Sequence, residues 1–391
     1  MELLKLNKDR IKKIDLFMKR LIESTRTEEK VKVFREFEKD IEEMTPLDMF
    51  YLHNYGDKTD LSINEIKSTA NKFVNVFYKG LEKYSRDFNH ILLKKLFDEN
   101  QKMEEHLNVL KEYYKSKDIK KYKDELLEGF KKCLEFELKF IKFENIIFPQ
   151  LEHKLPSTKP FEVLWSLHDD ARSQIKDLIK LLEKDLVDER LIIEKIGAYY
   201  YLVFGINQKE RLIIMPLLEE LHTEAELNAL YNECIDYGFV FMGEQSKIKV
   251  NIPTIDENQF VYKSITGQLS QLELSLILNK IPIDITFVDK DDKVTYFNNR
   301  KERHFPRNPS VIGRLVKHCH PPKSVHIVEE IVEDFRNNRR DSAEFWIEIR
   351  GVFLYITYYA LRDQQGQYQG VLEVSQDVSH IRSLQDQKRL L

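Results

Sequence analysis

The chain has 391 residues, enough for two or three hydrophobic cores rather than one. Its 62 Lys and Arg against 66 Asp and Glu give a formal net charge of -4, and the basic residues are spread throughout, which argues against a nucleic-acid surface. Charged residues make up 33% and glycines number 12, a composition of long solvated helices; with no leader-like stretch and no apolar run of membrane-spanning length, a cytoplasmic chain without a membrane partner is expected.

In chain order, residues 1–85 read as short helices: Ile11 to Ile22, Glu28 to Glu43, Met49 to His53 and Ile63 to Tyr84. Between them, Thr45 is a candidate cap for a helix that begins at Pro46, and Asn54 to Asp57 reads as a turn. The apolar stripes are too narrow to enclose a core, so this region is expected to pack on the helical segment C-terminal to it. Residues 86–242 carry four long helical patterns, broken near Ser116 to Asp118, Leu155 to Pro160 and Asp185 to Asp188. In the second pattern Leu126, Phe130, Cys133, Leu134, Leu138 and Ile141 share one face. Short connections make successive helices antiparallel, which predicts an up-down four-helix bundle. Glu144 to Glu152 echoes Arg211 to Glu219, each with a proline sixth, so the bundle reads as two related hairpins. Thr223 and Glu226 have capping-box spacing, and Gly238 is a plausible stop for the helix that they start. Cys133, Cys234 and Cys319 form no CxxC pair and read as isolated thiols, the first two buried.

Residues 243–265, with Gly243 and Pro253, read as a linker, and residues 266–391 as a second domain. It begins with an amphipathic helix, Leu269 to Ile281, followed by a hairpin of Ile283 to Val288 and Val294 to Phe297. Three strands come next: Ala343 to Ile349, Val352 to Leu361 and Tyr368 to Val374, the last two flanking a turn at Asp363 to Gly366. Asp377 to Leu391 reads as a charged terminal helix. The whole is an α+β chain, helical first, with a C-terminal five-stranded antiparallel sheet and short helices.

The order of two strands, short helices and three strands resembles a PAS sensor domain. The phrases Pro282 to Asp289, Tyr296-Phe297-Asn298, Cys319 to His326, Ala343 to Ile347 and Leu372 to Val378 resemble one PAS subfamily found behind a hemerythrin-like (HHE) helical domain in archaeal and bacterial proteins. Glu144 to Pro149 and Val163 to Asp170 resemble the hemerythrin-like bundle itself. The resemblance implies a sensor or signalling protein that couples the two domains, and a homodimer paired through the helices that flank the PAS domain. The alternative is an iron-dependent oxygen-handling or redox protein that uses the bundle.

A bundle-core iron site needs imidazoles and carboxylates converging from facing helices. The positions where the resemblance expects histidines hold Lys139, Ile206 and Phe97. His168 keeps the family phrase, Glu144, Asp170 and Glu210 could add carboxylates, and His90, His106, His153 and His222 are out of phase or on polar faces. The bundle is therefore expected to lack a di-iron centre and to be a metal-free structural bundle, the alternative being a remnant or altered mononuclear site, with Glu144 and His168 as remnant positions. In the PAS domain, Cys319, His320, Lys323, Ser324 and His326 are the candidate ligand-binding residues. They suit an anionic or polar small molecule at a helix N-terminus, haem on a single histidine, or a purely structural helix start. No GxGxxG, P-loop, GxSxG or HExxH occurs, so a binding module rather than an enzyme is expected.

Overall fold

The computed structural model describes residues 7–52, 67, 74–85, 87–115, 119–155, 157–184, 188–249, 260–264, 266–300, 303–321, 324–349 and 351–387. Two units separate, Met1–Val250 and Asn251–Leu391. Among the described residues, no helix is long and apolar enough to cross a membrane.

The first unit starts with α1 (Lys8–Glu23), α2 (Thr27–Glu36), α3 (Glu38–Glu42), α4 (Pro46–Tyr51) and α5 (Tyr78–Glu82). Thr45 caps α4 as its spacing predicts: the Asp48 amide donates to Thr45 Oγ1 at 3.1 Å, and the buried Asp48 carboxylate takes Arg10 Nε at 2.9 Å. Phe17, Phe37, Phe77 and Leu81 form the core of this region, and Leu212, far along the chain, belongs to the same cluster. Against the expectation that its stripes are too narrow, this region encloses a small core of its own, and through Leu212 it also packs on the bundle. The expected turn at Asn54 to Asp57 and much of the expected Ile63 to Tyr84 helix lie outside the described residues.

The bundle has four antiparallel spans. The first is α6 (Ile91–Lys115); the second runs through α7 (Lys123–Lys132), a 3₁₀ turn (Cys133–Phe136), α8 (Glu137–Lys142), a π turn (Phe143–Ile147) and α9 (Phe148–Glu152). The third is α10 (Lys159–Leu182), and the fourth joins α11 (Glu189–Lys209), a π turn (Glu210–Ile214) and α12 (Met215–Leu221). α6 packs on α7 and α11, and α10 on the same two helices, which closes the ring. Pro149 and Pro216 stand second in α9 and α12, each just after a π turn. A proline ring has no N–H and crowds the carbonyl one turn back; the wider π turn gives it room without breaking the rod. The two echoing phrases are one device used twice.

α13 (Glu224–Ile235) comes next, with Thr223 and Glu226 making the expected capping box, and Gly238 takes φ +77, a conformation that favours glycine. The start of the expected linker is bound rather than free. Asn232 Nδ2 donates to the Ile248 carbonyl and its Oδ1 accepts from the Ile248 amide, both at 2.7 Å, so residues up to 249 strap onto α13.

In the second unit, β1 (Phe260–Ser264) pairs with β2 (Gly267–Ser270), so the last part of the expected linker is a strand. α14 (Gln271–Lys280) is capped by Ser270 with Glu273. β3 (Asp284–Asp289), β4 (Val294–Phe297), α15 (Val325–Arg336), β5 (Ser342–Ile349), β6 (Val352–Arg362) and β7 (Tyr368–Asp377) complete the fold, with an antiparallel sheet in the order β4-β3-β7-β6-β5. Val288, Ile356 and Val371 face α15, which answers with Val328, Ile331 and Phe335. The terminal helix is shorter than expected. α16 (Ser379–Ser383) ends after one turn, because Leu384 is extended and Asp386 takes φ +57.

Candidate functional site

Between α15 and the inner face of the sheet lies a cavity of ≈ 20 Å³, room for about one water. Its walls are mostly Val and Ile, but three polar side chains reach it: His320, Tyr358 and Glu373. Strand parity explains two of them. Tyr358 on β6 and Glu373 on β7 are cross-strand partners, and Glu373 shares the inward parity of Val371 and Ser375. The Glu373 carboxylate is held by Arg307 Nη2 at 3.2 Å, while Arg307 Nε is buried without a hydrogen-bond partner. Burial pushes the His320 pKa down, against the pull of Glu373, so the ring is neutral near pH 7. Burial also pushes the Tyr358 phenol up, and Glu373 adds to it. The wall therefore offers a neutral imidazole, a phenol and a carboxylate, the last paired to the Arg307 guanidinium.

A second group ties this region to α14. Asn298 is fully buried; its Nδ2 donates to the carbonyls of Leu278 and Ile283 at 2.8 and 2.9 Å, and its Oδ1 accepts from the Ile285 amide at 2.7 Å. Arg303 Nη1 donates to both the Asn298 carbonyl and Oδ1 at 2.7 Å. The Tyr296-Phe297-Asn298 phrase is thus a clamp that joins the end of α14 to the sheet.

The candidate ligand residues separate. His320 lines the cavity. Cys319 is half-buried, with Sγ 3.8 Å from the Leu315 carbonyl. Ser324 Oγ donates to the Pro321 carbonyl at 3.2 Å, and His326 is exposed on α15, away from the face that meets the sheet. Lys323 lies outside the described residues. No pattern in the sequence singles out Arg307 or Tyr358. A lone acid at core parity in β7 was the available signal for Glu373.

In the bundle, Glu144 and His168 do meet: His168 Nδ1 is 2.9 Å from Glu144 Oε1, and its Nε2 is 3.6 Å from Glu210 Oε1. Arg172 Nη2 holds the other Glu144 oxygen at 2.8 Å. Beside them stand two buried lysines. Lys139 Nζ lies 2.5 Å from Glu210 Oε2 and donates to Asn207 Oδ1 at 2.6 Å; Lys142 Nζ donates to Glu99 Oε1 at 2.6 Å and to the Gly238 carbonyl at 2.5 Å. Burial pushes the Glu99 pKa up, against the pull of Lys142. Lys142 and Glu99 were not anticipated, although Glu99 falls in phase with buried Leu92, Leu96, Met103 and Leu107 on α6.

The two implied cofactors fit poorly. A pocket for a drug-sized ligand is about 300–1,000 Å³, so haem finds no space beside His320 in this conformation. Iron in the bundle would meet the Lys139 ammonium against Glu210, and among the described residues no three His, Cys, Asp or Glu are grouped to hold a metal ion.

Residues 274–379 match the family profile of a PAS domain. A C-terminal domain from Streptococcus mutans aligns at 41% identity over 33% of this chain and 100% of that chain, with a TM-score of 0.32. The PAS domain of a Colwellia psychrerythraea protein aligns at 16% identity over 28% of this chain and 97% of that chain, with a TM-score of 0.22. A sensory box sensor histidine kinase from Vibrio cholerae aligns at 15% identity over 28% and 90%, with a TM-score of 0.22. No curated protein matches the chain. With the sheet, α15 and the cavity in place, residues 274–379 belong to the PAS domain family.

Proposed function

We propose that this protein is a ligand sensor, in which a small anionic or polar molecule enters the PAS domain and its presence is passed to a hemerythrin-like bundle whose metal positions are taken by charged pairs. The observation that carries the reading is the polar part of the cavity wall, where His320, Tyr358 and Glu373 face an otherwise apolar gap and Arg307 is paired to the Glu373 carboxylate. Glu373 supplies the anion that Arg307 needs in the contracted state. A ligand carboxylate or phosphate competes for the guanidinium, and the cavity grows by moving α15 off the sheet. Arg303 and Asn298 then carry the change to Leu278 at the end of α14.

The protein acts as a binding module rather than an enzyme, and pairs with a second copy through α14. No residue of that helix is buried, and Leu276 is 60% exposed. Thermal shift of the full chain with succinate, citrate and glycerol 3-phosphate tests the ligand. At least one should raise the melting temperature of the wild type and fail to raise that of Arg307→Gln. If none acts on the wild type, the sensing reading falls. Light scattering tests pairing: Leu276→Glu should halve the mass, and a wild-type monomer defeats the dimer.

A further inference from the structure

The first unit contains a larger cavity that the PAS reading does not use and that meets the charged pairs of the bundle through Asn207. It measures ≈ 400 Å³ and lies between α6 and α11. α6 contributes Phe97, Asn100, Gln101 and Glu104, and α11 contributes Tyr201, Phe204, Gly205 and Gln208. Both sets have the same i, i+3, i+4, i+7 spacing, so each helix turns one whole face to the gap. Facing helix stripes normally close on apolar side chains. Here carboxamides stand among three aromatic rings, and Gly205 leaves its share of the interface empty.

The floor has an unmet need. Asn100 is 3% exposed and lines the cavity, and its Oδ1 has no hydrogen-bond partner. A buried acceptor left unpaired is costly, and an apolar residue would remove that cost unless something binds there. Neighbouring bonds are long and replaceable: Asn100 Nδ2 to the Asn207 carbonyl at 3.5 Å, and Asn207 Nδ2 to the Asn100 carbonyl at 3.4 Å. Glu104 Oε1 takes Asn207 Nδ2 at 3.1 Å, which places a carboxylate beside the same floor. Arg211, about one turn beyond Asn207, also lines the cavity; it makes a long bond to Tyr78 Oη at 3.4 Å, and its guanidinium lies 5.9 Å from the centre of the same ring.

The chemistry is therefore ordered along the gap. Acceptors at the floor call for N–H donors, rings on the walls call for a flat body, and the guanidinium calls for an anion. Carboxamides and aromatic rings are also the side chains that read and stack nucleobases. We propose that this cavity binds a purine nucleoside monophosphate, with the exocyclic amine at Asn100 and Glu104, the base against Phe97 and Phe204, and the phosphate at Arg211. Asn207 joins the floor to the Lys139 ammonium, so an occupant would bear directly on the buried ion pairs.

Isothermal titration of the full chain with AMP, GMP, adenosine and guanosine tests this. One nucleotide should bind saturably below about 1 mM, and its nucleoside at least about tenfold more weakly, the loss of one charge-assisted contact. Arg211→Gln should erase the preference for nucleotide over nucleoside, and Glu104→Gln should weaken both. Gly205→Leu should block all binding; it improves helix propensity, so it serves if a polar variant fails to fold. No saturable binding of either nucleotide overturns the proposal. So does binding that Gly205→Leu leaves unchanged.

Discussion

The bundle core and the PAS cavity both bury an acid against a base, and they do so to different ends. In the bundle, Lys139 and Lys142 each reach a carboxylate and a second protein oxygen, and the main chain adds a further bond, the Val240 amide donating to Glu99 Oε1 at 2.6 Å. In the PAS domain, Arg307 meets Glu373, which lines the cavity, at 3.2 Å, with Nε left over. Glu99 Oε2 and Glu210 Oε1 have no hydrogen-bond partner, but each lysine is gripped by two protein oxygens, and a buried charge gripped in that way holds an element in place. One whose partner lines a cavity, and which keeps a spare donor, can change partner.

The sharpest way to break this comparison is to remove a cation from each. Lys139→Met strands Glu210 in the dry core and should cost about 3–5 kcal/mol in a denaturant titration. Arg307→Met should cost about 1–3 kcal/mol, because the adjoining space can admit water to Glu373. If the PAS variant loses as much as the bundle variant, the distinction between a locked and an exchangeable pair fails.

Much of this could be read from the chain. Strand alternation and helical spacing gave the two folds, since both are local periods. The partners inside each core could not be read that way. Lys142 and Glu99 are 43 residues apart, and Lys139 and Asn207 are 68 apart, so they meet only through the vertical register of separate helices. No local spacing encodes that register. The His-rich phrase drew attention by composition, yet its residues point in different directions, and the cavity takes polar groups from β6 and β7 that looked like ordinary strand residues.

Lys209 extends the contrast to pH. Burial holds its pKa to about 8, below the ordinary lysine value of 10.5, with Glu210 pulling the other way. From about pH 8 to pH 10.5 the unfolded chain binds the proton and the folded chain does not, so this group's contribution to stability rises with pH across that window. Lys209→Met removes the dependence. The variant should exceed the wild type by about 1–3 kcal/mol below pH 8, and the gap should close towards pH 10.5. The buried thiols of Cys133 and Cys234 titrate in the opposite sense nearby, so the difference between the two proteins is the quantity to track. A gap that is constant with pH would mean that Lys209 keeps its charge when folded.

The smallest expected effect belongs to a residue that the phrase made conspicuous. On α15, Val328, Ile331, Val332 and Phe335 turn towards the sheet, whereas His326 and Ile327 are exposed. His326 stands two residues before Val328, about 200° around a helix of 3.6 residues per turn, which puts its ring on the far side from the cavity. His326→Ala should therefore change stability by no more than about 0.5 kcal/mol and leave any ligand-induced shift in melting temperature intact. His320→Ala, at the cavity wall, should reduce that shift. The pair discriminates because the two rings are six residues apart in one phrase and differ chiefly in where they face. Were His326→Ala to abolish the ligand response while His320→Ala preserved it, the recognition chemistry would have to sit on the outer face of α15, and Arg307 and Glu373 would be a structural pair like those in the bundle.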